Sequence, residues 1–394
     1  MSSQIVQVCI NPSPDGSITY MCAVANCISA LGLDQVLIIH KKMAPWVKEK
    51  LMPGSSIQIK TIEKEADLTQ LLPSNHRLNV MLQGNLGEQT LAYIQAHHFL
   101  SVFAHNSAHE VIPKRYHYAH ILVPVSRFVQ EALQQKGFQN ITQTIPYGWI
   151  KTTTLSSGSP KIHSGQIVDW YPHKIRDRLL GTLEKIGCYQ ATPKNPLQQA
   201  SPIKIGIVSR LARAKRFPEL LQSLSHALKA HPQISLHIFG SGPYQEIQAI
   251  VQATATIRAQ TYFWGWQNDS SHAYQSIHYL LTGRPENEAL GLNIIEAQTH
   301  GVPVLAIDGG PFRELITHGK NGWLYSDPSK DQAQAFHTLI DKLCQETQPL
   351  QRAVIQVGTF ESDFFSLEKF NQRIQACLNE INAHYNHENT HPQA

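Results

Sequence analysis

Short apolar runs, separated by stretches long enough for a helix, recur through most of the chain. In the first 150 residues they are Ile5–Ile10, Val36–His40, Ile57–Ile62, Leu78–Leu82, Phe99–Phe103, Ala119–Val123 and Ile141–Ile145. Helices are predicted between them, among them Ile18–Leu31 and Ser126–Gln135, the latter opened by Ser126 as a cap. From residue 201 the pattern repeats in Ile203–Val208, Ser235–Phe239, Ala259–Trp264, Tyr279–Thr282, Val304–Ile307 and Trp323–Tyr325. Strands without polar alternation are buried on both faces. When they alternate with helices they form a parallel sheet covered on both sides. The prediction is an α/β chain with two Rossmann-like domains.

A chain of 394 residues exceeds one ordinary core, so two domains are the default. Residues 1–150 form the first domain and 201–365 the second. Between them, 151–200 reads as an interdomain region. It is bounded by the turn-like Thr152–Pro160 and the breaker cluster Thr192-Pro193-Lys194-Asn195-Pro196, with one amphipathic helix over Ile175–Ile186. Residues 366–394 are read as a last helix over Ser366–Ala383 and a polar, frayed tail over His384–Ala394.

The chain is 42% hydrophobic and 16% charged, which describes a globular protein rather than a disordered one. A net charge of +4 does not argue for nucleic acid, but permits weak attraction to anionic substrates or surfaces. Cys9, Cys22, Cys27, Cys188, Cys344 and Cys377 make no CxxC pair, so reduced thiols and a cytoplasmic location are expected. The first residues lack the features of a secretory leader, and no run of apolar residues is long enough to span a membrane. Among 21 histidines no HExxH and no His/Cys cluster with metal spacing stands out.

The most informative chemistry lies in Pro285-Glu286-Asn287-Glu288-Ala289-Leu290-Gly291-Leu292-Asn293-Ile294-Ile295-Glu296. An apolar strand precedes it, and a glycine sits where a helix begins. Open α/β sheets bind ligands beyond the carboxyl ends of their strands. Residues eight apart on one helix lie about 80° apart, a poor arrangement for two carboxylates sharing a proton. Glu288 therefore belongs to the loop, and Glu296 one turn inside the helix, leaning back toward it. A helix N-terminus near Gly291 suits a phosphate. Carboxylates beside a phosphate suit neutral hydroxyls. Phosphate flanked by two hydroxyl-bearing groups describes a sugar nucleotide. The plainer reading, two solvated charges, holds for an isolated pair.

Four more strand ends add to it. Arg210, Arg213, Lys215 and Arg216 follow Ile203–Val208, where cations would neutralise a diphosphate. Gly240-Ser241-Gly242-Pro243 follows the next strand, offering close backbone approach or simply a tight turn. Gly265-Trp266 follows the third, and Trp266 is either a platform for a flat base or a packing aromatic. Asp308-Gly309-Gly310 follows Val304–Ile307. The conjunction is more specific than any one piece.

These residues, with Val125-Ser126-Arg127-Phe128, Pro146-Tyr147-Gly148 and Gly301-Val302-Pro303-Val304, resemble family 4 glycosyltransferases. Those are retaining enzymes of the GT-B architecture, two Rossmann-like domains facing across a cleft. The resemblance is strong over 119–345 and weak before it. It implies that Arg210 and Lys215 bind the donor diphosphate and that Glu296 binds the ribose. It also implies that Glu288 and the backbone of Ala289-Leu290-Gly291-Leu292 hold the donor sugar and phosphate. His105, after Phe99–Phe103, matches the family's cleft histidine by position, against an ordinary packing role. There are departures. The loop Asn11–Ser17 has one glycine, Gly16, left to bring an N–H to the phosphate. The family's Pro-Asn-Gly-Val-Asp is here Pro146-Tyr147-Gly148-Trp149-Ile150, without the polar Asn and Asp, and Arg216 stands where glycine is usual.

The resemblance implies sugar transfer from a nucleotide sugar such as a UDP- or GDP-sugar, with retention and without cofactor or metal; the lack of Asp-x-Asp fits. The implied acceptor is a glycan or lipid-linked glycan of bacterial lipopolysaccharide, capsule or other envelope polysaccharide. The patch Lys41–Lys48 is a candidate contact with an anionic membrane surface, against a solvated amphipathic helix. Alternatives are a sugar-nucleotide epimerase or hydrolase of the same architecture, and a non-catalytic nucleotide-sugar-binding partner subunit. A dehydrogenase is disfavoured because no GxGxxG follows the first strand.

Overall fold

A computed structural model describes residues 5–13, 15–107, 111–148, 161–171, 174–196, 203–345 and 366–390. The chain forms two compact units, Met1–Ile150 with Asp363–Ala394, and Lys151–Ser362.

The first unit is built on a parallel sheet of β1 (Ile5–Cys9), β2 (Gln35–His40), β3 (Gln58–Ile62), β4 (Asn79–Leu82), β5 (Phe99–Ala104) and β6 (Ile121–Pro124). Its order is β3-β2-β1-β4-β5-β6. β1, β4, β5 and β6 are buried at every residue, as continuous apolar runs demand, whereas the edge strand β3 is largely open. Gln7 is buried mid-strand and would be costly alone. It donates to Gln35 Oε1 at 2.9 Å, and Gln35 donates in turn to the carbonyl of Ala25 at 2.6 Å.

The second unit repeats the arrangement with β7 (Ile203–Val208), β8 (Ile234–Phe239), β9 (Thr261–Gly265), β10 (Tyr279–Leu281), β11 (Val304–Ile307) and β12 (Gly322–Tyr325). Its order, β12-β11-β10-β7-β8-β9, is the same doubly wound topology. In each unit the order reverses beside the first strand, between β1 and β4 and between β7 and β10. Those gaps are where such sheets take ligands.

Three expectations need correction. Ile141–Ile145 is not a strand: Ile141 makes one isolated bridge to Leu122. The amides of Gln143 and Thr144 instead donate to the Glu380 carboxylate, at 2.6 and 3.0 Å. The last helix does not stop near residue 383 but runs Leu367–Thr390. Its far turns are pinned: Arg77 Nη2 meets Glu388 Oε2 at 2.6 Å, and Tyr385 Oη donates to the Arg77 carbonyl at 3.0 Å. Nor is the segment from 161 to 196 a connector. Ile167, Val168 and Ala191 enter the core of the second unit. Gly181 leaves room for Trp170, whose indole donates to Glu184 at 2.7 Å.

In the first unit the helix Gly16–Ala30 begins at Asp15, whose carboxylate caps the amide of Ile18 at 3.1 Å. This helix carries Tyr20, which packs edge-on against Phe370 of the C-terminal helix at 6.0 Å. Phe370 is fully buried. Phe370→Ala should therefore cost the first unit about 3–5 kcal/mol, the usual range for a buried phenylalanine. Chemical denaturation followed by tryptophan emission reports it; an unchanged transition would show that the helix is not integral to the unit.

Candidate functional site

The site is assembled at the β7/β10 reversal of the second unit. After β7 the chain turns through Ser209–Ala212 and a short 3-10 turn, Arg213–Lys215, before the helix Phe217–Lys229. After β10 comes Gly283, then the 3-10 turn Pro285–Asn287 and Glu288. A Cβ at Gly283 would lie 2.7 Å from the Lys215 carbonyl oxygen, which instead accepts the Arg284 amide at 3.2 Å. The two loops thus meet backbone to backbone. Their side chains meet as well: Lys215 Nζ is ion-paired with Glu288 Oε1. Glu288 is buried, and Lys215 half-buried. The sequence reading gave these residues separate tasks; in this structure they are partners.

Arg210 stands beside the pair of loops, half-exposed, with Asp169 Oδ2 at 3.7 Å from its guanidinium. That separation leaves its donors available. Gly291 adopts the left-handed conformation, φ 91°, as N-cap of the helix Leu292–Thr299, which has no side-chain cap. Its first-turn N–H groups therefore lack the usual side-chain acceptor. Leu292 opens this helix, half-buried.

Glu296 lies further along the same helix, half-buried. Tyr274 Oη donates to Glu296 Oε2 at 2.6 Å. Burial pushes the Glu296 carboxyl above its usual range, and the tyrosine hydrogen bond partly opposes this. Tyr274 lies on the helix Ser270–Ser276 and stacks on His300 at 5.3 Å. Nothing in the sequence spacing linked Tyr274 to Glu296.

Arg284 was also missed. It is buried, with its guanidinium on Asp327 at 2.6 Å and Glu286 at 2.9 Å. The loop that carries Glu288 is thereby tied to the end of β12. A cation directly before an acidic run was the available signal.

The glycines have close backbone neighbours. A Cβ on Gly240, at φ 125°, would lie 1.9 Å from the Ser209 carbonyl oxygen, and one on Gly242 would lie 2.1 Å from that of Leu211. Gly265, at φ 73°, has the Gly165 carbonyl oxygen 2.2 Å from where its Cβ would be. The close approach required at these three positions is the chain's own: the loop after β7 lies against Gly240 and Gly242, and residues 165–168 run alongside Gly265. Trp266 is exposed, and its amide donates to Gln166 at 2.8 Å.

In the first unit, Gly16 opens its helix and is exposed. His105, beyond β5, accepts a different description from an acid or base. Its Nε2 lies 2.8 Å from Gln83 Oε1, and its ring meets Tyr20 edge-on at 5.1 Å. Burial, helped by nearby Arg115, lowers its pKa to about 3. It is a neutral, hydrogen-bonded imidazole at physiological pH, a state compatible with either the packing or the cleft reading. The Lys41–Lys48 patch does not present an apolar face either: Met43 and Val47 are buried in the first unit's core, with Trp46 packed against it. Tyr147 is buried, and Trp149 and Ile150 lie outside the described residues. Folding also brings together a group that sequence spacing did not reveal, His231, His337 and Asp341.

With this geometry in place, known proteins can be compared. Residues 190–358 match the family model of glycosyl transferases group 1. Over 134 residues, or 34% of the chain, it is 32% identical to an uncharacterized glycosyltransferase of Haemophilus influenzae. Over 159 residues, or 38% of the chain, it is 31% identical to the GtfA subunit of a UDP-N-acetylglucosamine–peptide N-acetylglucosaminyltransferase of Streptococcus pneumoniae. A third relative, a poly(glycerol-phosphate) alpha-glucosyltransferase of Bacillus subtilis, is 29% identical over 31% of the chain. The matches span 37, 30 and 18% of the lengths of these three relatives. Among solved structures, Anabaena HepE in complex with UDP and glucose superposes with TM-score 0.67 at 16% identity, covering 96% of this chain and 99% of that one. Pneumococcal GtfA in complex with UDP and GlcNAc gives TM-score 0.60 at 14% identity, with the same coverage. The fold is that of GT-B glycosyltransferases.

Two outcomes follow from local geometry. Arg216, where the resemblance led us to expect glycine, has φ 51° and ψ 39°. A left-handed L-residue costs about 1–2 kcal/mol, and its Glu219 partner at 3.7 Å is exposed and offsets little of it. Arg216→Gly should leave the melting temperature unchanged or raised, and Arg216→Val should lower it; the reverse order by differential scanning fluorimetry would contradict the conformation. Glu296, with its raised pKa, stabilises the fold best when protonated, and that contribution is lost as pH rises through its folded pKa. Glu296→Gln should therefore melt above the wild type at pH 7, with the gap closing toward pH 4. Equal gaps at both pH values would refute the buried-carboxylate account.

Proposed function

We propose that the chain is a glycosyltransferase that moves a sugar from a nucleotide-sugar donor to a hydroxyl of a glycan or lipid-linked glycan, with retention at the anomeric carbon. The observation that carries this reading is the convergence of Lys215, Arg210, Glu288 and the uncapped helix N-terminus at Gly291 on one side of the β7/β10 reversal. The group 1 family match covers all of these residues.

Lys215 and Arg210 take the donor diphosphate and stabilise the charge that develops on it as the glycosidic bond breaks. Charge-assisted hydrogen bonds contribute about 1.5–3 kcal/mol each, against about 0.3–1 kcal/mol for a helix dipole, so the side chains dominate. The first-turn amides after Gly291 receive a phosphate oxygen. When the diphosphate draws Lys215 away, the Glu288 carboxylate is left to accept from a donor-sugar hydroxyl. Glu296, held in place by Tyr274, accepts from the ribose. The leaving diphosphate assists removal of the acceptor proton. Positive charge comes from side chains and amides, so metal need not participate in the transfer. UDP-sugars are the first donors to try, since the HepE and GtfA structures were obtained with UDP. The names of the relatives, a poly(glycerol-phosphate) glucosyltransferase among them, favour a surface or envelope polymer as acceptor.

The purified chain should be screened with UDP-, GDP- and ADP-sugars by thermal shift, then assayed for nucleotide release with candidate acceptors. The product's anomeric configuration is read by NMR. Lys215→Ala should lower kcat of the folded enzyme by about 10²–10³-fold, the scale seen when one charge-stabilising donor is removed, and lower the melting temperature as well, because the buried Glu288 loses its partner. Wild-type kinetics in that variant would overturn the assignment. Rapid donor conversion without acceptor would instead favour an epimerase or hydrolase, and donor binding with no transfer a partner subunit.

A further inference from the structure

A second cluster of ligand-bearing side chains lies elsewhere on the second unit. The helix Phe217–Lys229 runs 13 residues away from the donor-side loops, about 20 Å at 1.5 Å per residue. His231 follows it and leads into β8, at the amino-terminal edge of the sheet. The helix Gln334–Gln345 packs nearby and carries His337 and Asp341 one turn apart. His231 Nε2 is 3.0 Å from Asp341 Oδ1, and His337 Nδ1 is 3.3 Å from Asp341 Oδ2. One ligand atom from each residue lies within 4.8 Å of the other two.

Ordinary pairing accounts for His337, which is hydrogen-bonded to Asp341, but not for His231. The His231 side chain is only 13% exposed. Its Nε2 atom is shut off from solvent and has no hydrogen-bond partner, although the Asp341 oxygen is within reach. The ring is therefore misaligned for a hydrogen bond, which weakens steeply once the donor points away. A buried nitrogen lone pair beside a carboxylate is unfavourable unless something positive lies between or beside them. A cation on that lone pair would lie to one side of the nitrogen–oxygen line, within reach of both atoms. Tetrahedral zinc at about 2.0–2.1 Å from its ligands holds neighbouring ligand atoms about 3.3 Å apart; the two separations seen run to different oxygens of Asp341, so a small rotation of its carboxylate would bring one oxygen within reach of both rings. Two imidazoles and a carboxylate are a borderline donor set that suits zinc rather than magnesium or calcium.

We propose that His231, His337 and Asp341 form a binding site for one divalent transition-metal ion of the zinc type. The ion clamps the end of the Phe217–Lys229 helix to the Gln334–Gln345 helix. Its role is structural, because it sits at the sheet edge opposite the strand ends that carry Lys215 and Glu288. His337 and Asp341 are partly exposed, at 34 and 45%, so the ion can enter from solvent and keep a water in its fourth position.

The test uses the whole chain, freed of metal by chelator and titrated with Co²⁺ as a spectroscopic substitute for zinc, then with Zn²⁺. One saturable equivalent with a visible ligand-field band, displaced by Zn²⁺, is expected, and Zn²⁺ should raise the melting temperature. His337→Ala and Asp341→Asn should each weaken binding by about tenfold or more and abolish the thermal shift. His384→Ala, at an exposed histidine of the C-terminal helix, should bind as wild type. Absence of a saturable equivalent in the wild type, or equal binding in His337→Ala and Asp341→Asn, would overturn the site and leave only His–Asp pairs. Neither readout depends on sugar transfer, so this proposal and the glycosyltransferase reading fail separately.

Discussion

The candidate site depends on one close approach of backbone to backbone, where the loop leaving β10 crosses the loop leaving β7. Gly283 permits it, since any side chain there would strike the Lys215 carbonyl. The Arg284 amide completes it by donating to that same oxygen. Once the loops touch, the positions of Lys215 and Glu288 follow, and so does their ion pair. Lys215 must end its turn quickly to reach the next helix, which forces Arg216 into a left-handed conformation. Arg284 then spends its charge on Asp327 and Glu286 rather than on a ligand, fixing the acidic loop against β12. A buried pair of this kind contributes little net stability, because desolvation offsets the attraction. What it supplies is position: without Asp327, Arg284 would be a buried charge lacking its closest partner.

The architecture was largely legible because it rests on pattern. Continuous apolar strands such as Ile203–Val208 announce themselves, and both sheets contain the expected runs with ends moved by a residue or two. The failures have a common cause, which is long-range satisfaction of polar groups. Ile141–Ile145 has strand composition, yet two of its amides go to Glu380, more than 230 residues away. The polar tail looks frayed until Arg77 and Glu388 are brought together. In the site, strand-end position located Arg210, Lys215 and Glu288, because strand ends are local features. Tyr274 and Asp327 could not be found that way, since their value lies in a partner on another element. The glycines of 240–242 fit the tight-turn alternative: residue type was informative, and the neighbour that demands glycine is the chain's own carbonyl.

Glu288 and Glu296 illustrate how environment separates two similar groups. Glu288 lies against a lysine, so its charge is balanced in the protein itself. Glu296 has a neutral tyrosine instead, and burial raises the cost of its ionised form. A carboxylate kept at such a cost suits binding better than stability. A neutral hydroxyl diol offers two donors to it without adding charge, so ligand binding would relieve part of the penalty. A phosphate at the same place would increase it. The same logic, on the proposed reading, puts the diphosphate with Lys215 and Arg210, the latter only loosely matched by Asp169 at 3.7 Å. On that reading, charge balance rather than any single motif divides this face of the sheet into a part suited to hydroxyls and a part suited to phosphate. Lys215 is then, on the proposed reading, the hinge between them, exchanging Glu288 for phosphate when the donor binds.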